Sequence, residues 1–171
     1  MLYHNALIDS NIHALNQGIA LIEQIDDEMY TLAAHPLFNS GVGSHFRHCL
    51  DAYDCLFRGI DTGKINYDHR ERDEMVERDR EYAAARIKLT IDRLRSLSSG
   101  DELISLIVKQ DSAAWTYASI GRELQFLLSH TIHHYALIAL ILRLQGFSPA
   151  EQFGVAPSTL EYWKEGAVCA R

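Results

Sequence analysis

S-I-G-R-E-L-Q-F-L-L-S-H-T-I-H-H-Y-A-L-I-A-L-I-L-R-L-Q-G, from Ser119 to Gly146, is the stretch around which this 171-residue chain is organised. Apolar residues recur in it at helical spacing through Leu124, Leu127, Leu128, Leu137, Ile138, Ile141, Leu142 and Leu144. Ser119 is placed to cap the first turn, which also holds Glu123; Arg143 lies near the end, and Gly146 takes the position where a left-handed residue closes a helix. About 26 residues at about 1.5 Å each make a rod of roughly 39 Å.

One stripe of this helix reads Glu123, Leu127, His130, His134, Leu137, Ile141, Leu144, so His130 and His134 stack one turn apart on the face expected to point into the core. Residues so spaced have Cβ atoms about 5–6 Å apart, within reach of one shared metal ion. Burying two imidazoles costs free energy unless their nitrogens are satisfied. A metal ion would satisfy them, but so would ordinary hydrogen bonds. With nine histidines in the chain, one such pair by chance is unsurprising, and a third ligand must come from elsewhere.

Hydrophobic residues make up 47 % of the chain and charged residues 23 %, which is ordinary globular usage. The length predicts a single domain over residues 1–171 that buries a core without metal or disulfide support. A net charge of −7 argues against general binding to nucleic acid. The N-terminal M-L-Y-H-N-A-L-I-D-S has no basic segment leading into an apolar run, so no signal peptide is expected. Cys49, Cys55 and Cys169 are odd in number and lack framework spacing. That fits a reducing cytoplasm, with Cys49 and Cys55 as small core residues. The histidine helix is apolar enough to raise the question of a membrane. Its histidines, Gln125 and Ser129, with charged helices around it, favour a buried bundle helix and no membrane partner.

Elsewhere the pattern predicts three further long helices. The first runs from Asp9 or Ser10 to about Ala34, on a stripe of Ile12, Leu15, Ile19, Ile22, Ile25, Met29 and Leu32, and His35-Pro36 ends it. His13 and His35 are incidental to that stripe. The second starts near Ser44 after the turn at Asn39–Gly43, with Phe46, Cys49, Leu50, Tyr53, Phe57 and Ile60 facing the core. His48 lies on the border of that face, and His45 sits one turn before it. His48 is the expected third ligand; the alternative is a histidine that only hydrogen-bonds a carboxylate or a backbone carbonyl. Asp61–Tyr67 reads as a connector. The third helix spans about Arg72 to Leu97, with alternating charges on a solvated face and Met75 or Val76, Ala83, Ile87, Ile91 and Leu94 inward. Glu102–Val108 and Ala114–Ala118, separated by the turn at Gln110–Ser112, predict a β-hairpin leading into the histidine helix. Ser158 and Glu161 form a capping box for a short last helix ending near Gly166. The expected fold is all-α: a four-helix bundle with an internal metal site and a small hairpin between its third and fourth helices.

Over most of its length the chain resembles the DinB family of metalloenzymes. G-S-H-F-R-H-C-L-D-A (Gly43–Ala52) is similar to the family's histidine followed by a Leu-Asp-Ala-like run, and R-E-L-Q-F-L-L-S-H-T-I-H-H (Arg122–His134) to its later H-x-x-x-H. The resemblance implies His48, His130 and His134 as the metal ligands, an up-down-down-up bundle, a divalent metal of zinc or nickel type, and a homodimer. It also implies thiol-dependent transfer or isomerisation with a low-molecular-weight thiol, or hydrolysis, on a small-molecule substrate. Where many relatives follow the last histidine with Arg-Gly-Gln, this chain has Tyr135-Ala136-Leu137.

Three neutral imidazoles leave a metal its full charge and an open position, which activates a water or a thiol. A metal-dependent thiol transferase or hydrolase is therefore expected. The alternative is a non-catalytic structural or sensing dimer, in which His45 joins the other three and closes the site. His133 points about 100° away from His134, and Glu123 stands about two turns from His130, far for a general base. Phe126, Ile132 and Leu140, away from the histidine stripe, leave apolar surface on more than one face, from which a homodimer is expected; the alternative is that the hairpin and the C-terminal segment cover it.

Overall fold

The computed structural model describes residues 6–33, 39–98, 100–111 and 114–169, with 166–169 by backbone alone. The elements run α1 (Ala6–Ile22), α2 (Asp27–Thr31), α3 (Val42–Thr62), β1 (Lys64–Asn66), α4 (Glu74–Arg78), α5 (Arg80–Arg95), β2 (Ser105–Lys109), β3 (Thr116–Ser119), α6 (Ile120–Leu144) and α7 (Pro157–Cys169). The protein is mostly helical with one small sheet. Its longest helices close a cycle of contacts: α3 packs on α6 and α5, and α1 packs on the same two.

The histidine helix has the expected limits. The Ser119 hydroxyl accepts from the Arg122 N–H at 3.2 Å, and Gly146 takes a left-handed φ of 88° just past the end. Leu124, Leu127, Thr131, Tyr135, Ile138 and Leu142 are its buried line, so His130 and His134 sit half-buried at the edge of that line rather than at its centre. By length and composition α6 could cross a membrane; here it packs on α1 and α3.

Two of the expected helices are broken. The first helix stops at Ile22 instead of running to about Ala34. The Ile22 carbonyl takes an N–H from Arg80 (3.1 Å), and Asp26 opens α2 by accepting from the Met29 N–H at 2.8 Å. The same arginine pairs with Asp27 at 3.0 Å, fixing the bend. The expected helix from Arg72 to Leu97 is likewise split into α4 and α5 at Asp79, which is extended (φ −126°, ψ 109°) and accepts from the Tyr82 N–H at 2.9 Å. In both places an aspartate takes up the free amides of a new first turn, and the chain turns rather than continuing. Most inward residues of these helices are as expected: Leu15, Ile22, Ile25, Val76, Ala83, Ile87, Ile91 and Leu94 are buried, while Met75 is exposed and so, against the expectation, is Leu32. The helix carrying His48 begins at Val42, two residues before Ser44. The last helix begins at Pro157 and extends past Gly166 to Cys169, so Ser158 lies inside it rather than capping it.

The hairpin is present as β2 and β3, antiparallel, with Ile107 opposite Tyr117. Glu102, placed in the first strand by its sequence, belongs instead to a 3-10 turn at Asp101–Leu103. The connector after α3 contains a third strand: β1 pairs in parallel with β2, Ile65 opposite Val108, giving the order β1-β2-β3. Ile65 is fully buried, and Gly59 on α3 lets β1 lie close, because a Cβ there would press on Ile65 and the Lys64 carbonyl.

One buried polar network ties the helices together. Asn11 on α1 donates to the carbonyls of Leu7 (2.9 Å) and, on α6, Leu124 (3.1 Å). Its own carbonyl accepts from the Tyr53 hydroxyl on α3 at 2.7 Å, and Thr131 on α6 donates to that hydroxyl at 3.4 Å. Each buried group is satisfied by a neighbouring helix, which fixes the register between the three helices.

Candidate metal centre

The seam between α3 and α6 is where histidines meet. Phe46, Cys49, Leu50 and Tyr53 turn one side of α3 into the core, which leaves His45 buried and His48 half-buried beside α6. On α6 the one-turn spacing sets His130 and His134 against them. Ring centroids are 4.9 Å apart for His48 and His130, 4.6 Å for His48 and His134, and 4.5 Å for His130 and His134. One nitrogen from each of these three lies within 4.8 Å of the others, a spacing that can hold one metal ion. The structure thus brings together the three residues named from the sequence.

The bonds around the rings decide which nitrogens are free. Nδ1 of His134 is 2.9 Å from Nδ1 of His45, whose Nε2 is 3.2 Å from the Ser40 hydroxyl. If His134 is to present Nε2 to an ion, its Nδ1 carries the proton and donates to His45, which in turn donates to Ser40. That chain of tautomers is self-consistent. Both nitrogens of His45 are engaged, so His45 orients His134 and stands outside the three-histidine cluster. Nε2 of His130 is buried with no hydrogen-bond partner among the described residues. A buried nitrogen without a partner is costly, and an ion shared with the other two rings would supply one. On this ground the residues fit a divalent metal. Imidazole nitrogen suits zinc and nickel alike.

Electrostatics act the same way. Burial, followed by the neighbouring His130 and the Arg70 cation, pushes His48 down to about 4. Burial, then His130 and His48, pushes His134 down to about 3. His130 and His45 are lowered as well, first by burial and then by His133. The rings are therefore neutral at neutral pH, the form in which imidazole binds metal.

Arg70, also at the site, carried no functional signal in the sequence. Arg70, from the connector between β1 and α4, donates through Nη1 to Nδ1 of His48 at 2.8 Å and lies 3.5 Å from Nε2. Phe126 packs at 5.5 Å on the His130 ring and at 5.3 Å on Tyr67, so part of the surface expected to face a dimer partner is covered within the chain. Ile132 lines a groove with Val155, Pro157 and Leu160, while Leu140 stays 45 % exposed. Glu123 is buried and accepts from the Tyr67 hydroxyl at 2.9 Å; burial raises its pKa. Its partner is thus a tyrosine, not a histidine. His133 is exposed, with its ring edge against His134, and His13 is 3.3 Å from Gln17 far from the cluster in sequence. Cys49 and Cys55 are buried free thiols, as expected for small core residues. His35 lies outside the described residues.

A family model described as the DinB superfamily matches residues 14–138, more than half of the chain and a span that includes all three histidines. A protein of Rhizopus delemar called FK506-binding protein 5 is 38 % identical over 107 residues, which cover 59 % of this chain and 28 % of the fungal protein. The similarity thus spans under a third of that relative's length, and its name describes the whole fungal protein.

Proposed function

Because the chain belongs to the DinB superfamily, we propose that it is a metal-dependent enzyme in which His48, His130 and His134 hold one divalent ion, zinc or nickel. The observation that carries this reading is the buried Nε2 of His130, without a hydrogen-bond partner among the described residues, inside a cluster of uncharged imidazoles. His48, His130 and His134 would hold the ion as neutral ligands, and when bound it would supply the positive charge that lowers the pKa of a small thiol or a water toward neutral pH. The reaction class is transfer of a low-molecular-weight thiol to an electrophile, or hydrolysis.

The protein's own groups have defined parts. Burial keeps the three rings unprotonated, and Phe126 packs against the His130 ring. His45 and Ser40 hold His134 in one tautomer and one orientation. Since both His45 nitrogens are engaged in this way, a fourth protein ligand is not expected from it, which favours an open, reactive position over a closed structural one. The scaffold we propose is the up-down-down-up four-helix bundle formed by α1, α3, α5 and α6. A homodimer using the exposed face around Leu140 is part of the same proposal.

Metal analysis of protein purified without a histidine tag tests the reading. One ion per chain is expected, falling sharply in His48→Ala, His130→Ala and His134→Ala while the fold persists. Full occupancy in any one variant removes that residue from the ligand set. With cobalt in the site, a small thiol should add a charge-transfer band in the near ultraviolet; no band with any thiol would reject thiol chemistry.

A further inference from the structure

Arg70 is a cation with an unusual partner. The segment that carries it is pinned on both sides: the His69 carbonyl accepts from Arg58 at 3.2 Å, and Asp73 accepts from the Tyr82 hydroxyl at 2.9 Å. Arg70 is half-buried and its guanidinium reaches His48; its charge is felt by the buried Asp51, yet it forms no ion pair within 4.0 Å of a carboxylate among the described residues. A neutral imidazole is a weak counterpart for a guanidinium, whose planar fork matches a carboxylate. Arg70 also lines a cavity of about 670 Å³ between α3 and β1, together with Arg58, Lys64 and His69. Two carboxylates, Asp68 and Glu71, line it too, and Glu71 is paired with Arg58. Arg70 is thus the link between this cavity and the histidine cluster.

The contact with His48 has a chemical consequence. A ring nitrogen that accepts an N–H cannot offer the same lone pair to an ion, and if Nδ1 accepts, Nε2 carries the proton. His48 can serve as a ligand only once Arg70 releases it. A guanidinium released from His48 is then available to pair with an anionic ligand at the cavity.

We propose that Arg70 is the substrate-recognising residue of the site, exchanging His48 for the carboxylate of a small acidic ligand that occupies the adjoining cavity. This rests on the metal-dependent reading above and narrows its substrate to a molecule bearing a carboxylate near its reacting group. Carboxylate binding and metal binding are then mutually reinforcing, because each favours the arginine away from His48.

Two probes separate this proposal from the reading it rests on. In the cobalt-loaded protein, 3-mercaptopropionate and 2-mercaptoethanol are compared at equal thiolate concentration by the charge-transfer band. A preference of ~10-fold for the acidic thiol is expected, as a charge-assisted pair gives. Arg70→Met should abolish that preference and Arg70→Lys retain part of it. Arg70→Met should also bind cobalt more tightly, since nothing then competes for His48. Equal binding of the two thiols, or a preference that survives Arg70→Met, overturns the Arg70 proposal and leaves the metal reading standing. If neither thiol gives a band, thiol chemistry falls, and calorimetric titration with succinate decides on Arg70. Weaker succinate binding in Arg70→Met than in wild type supports the proposal, and equal or absent binding in both overturns it.

Discussion

Zinc binding at pH 6 should release less than one proton per ion. A histidine at its ordinary pKa of about 6.5 is about three-quarters protonated at pH 6, so three such ligands would release about 2.3 protons. Here His48 lies at about 4 and His134 at about 3, and each contributes almost nothing at that pH. His130 is also lowered, so it contributes less than an unperturbed ring. Titrating zinc into metal-free protein in buffers of different ionisation enthalpy gives the proton count as the slope of observed heat against buffer enthalpy. Release of two or more protons would mean that burial does not hold the rings neutral. The same shifts set how the metal-free fold responds to acid. A group whose folded pKa lies below its unfolded value stabilises the fold when neutral. That contribution is complete above about 6.5 and is lost as pH falls through it toward about 4 for His48 and about 3 for His134. The metal-free protein should therefore lose stability between pH 6 and pH 4, as followed by thermal melts.

Asn11→Leu removes the acceptor of the buried Tyr53 hydroxyl and should cost about 2 kcal/mol, or about 4–8 °C in melting temperature. Adding Tyr53→Phe should recover part of that loss; a purely additive double variant would show that the two groups are not coupled. His45→Ala should weaken metal affinity about 10–100-fold without abolishing it. No change would remove its orienting role, and complete loss would make it a ligand. Gly43→Ala places a Cβ against the Glu77 carbonyl and the Tyr30 ring and should cost about 1–3 kcal/mol. Wild-type melting behaviour would refute that packing argument.

The sequence was most legible where one local rule dominated. Ser119 and Gly146 bounded α6 because capping chemistry is local, and His130 and His134 met because one helical turn brings them together. The breaks at Asp26 and Asp79 were hidden for a related reason. Each aspartate sits in a run of other charges, and its capping role appears only when it turns back to a particular amide. Strand β1 was not readable because three residues carry no period, and its pairing comes from Lys109 and its neighbours far along the chain. Arg70 and Tyr67 escaped notice because a connector residue acquires its partner only through tertiary placement. Ser158 shows the opposite error: a valid capping pattern was overridden by Pro157, whose fixed φ starts the helix two residues earlier than a Ser158 cap would.

The division of the three histidines between α3 and α6 also fixes when in the life of the molecule an ion can act. Two ligands come from one helical turn, but the third joins them only after helices from opposite halves of the sequence have docked. An ion held there would therefore be recruited late, after the slow long-range step, and would leave the early collapse untouched. Its effect falls on the way out of the native state: loaded protein should refold no faster than metal-free protein, yet unfold more slowly and outlast it under protease.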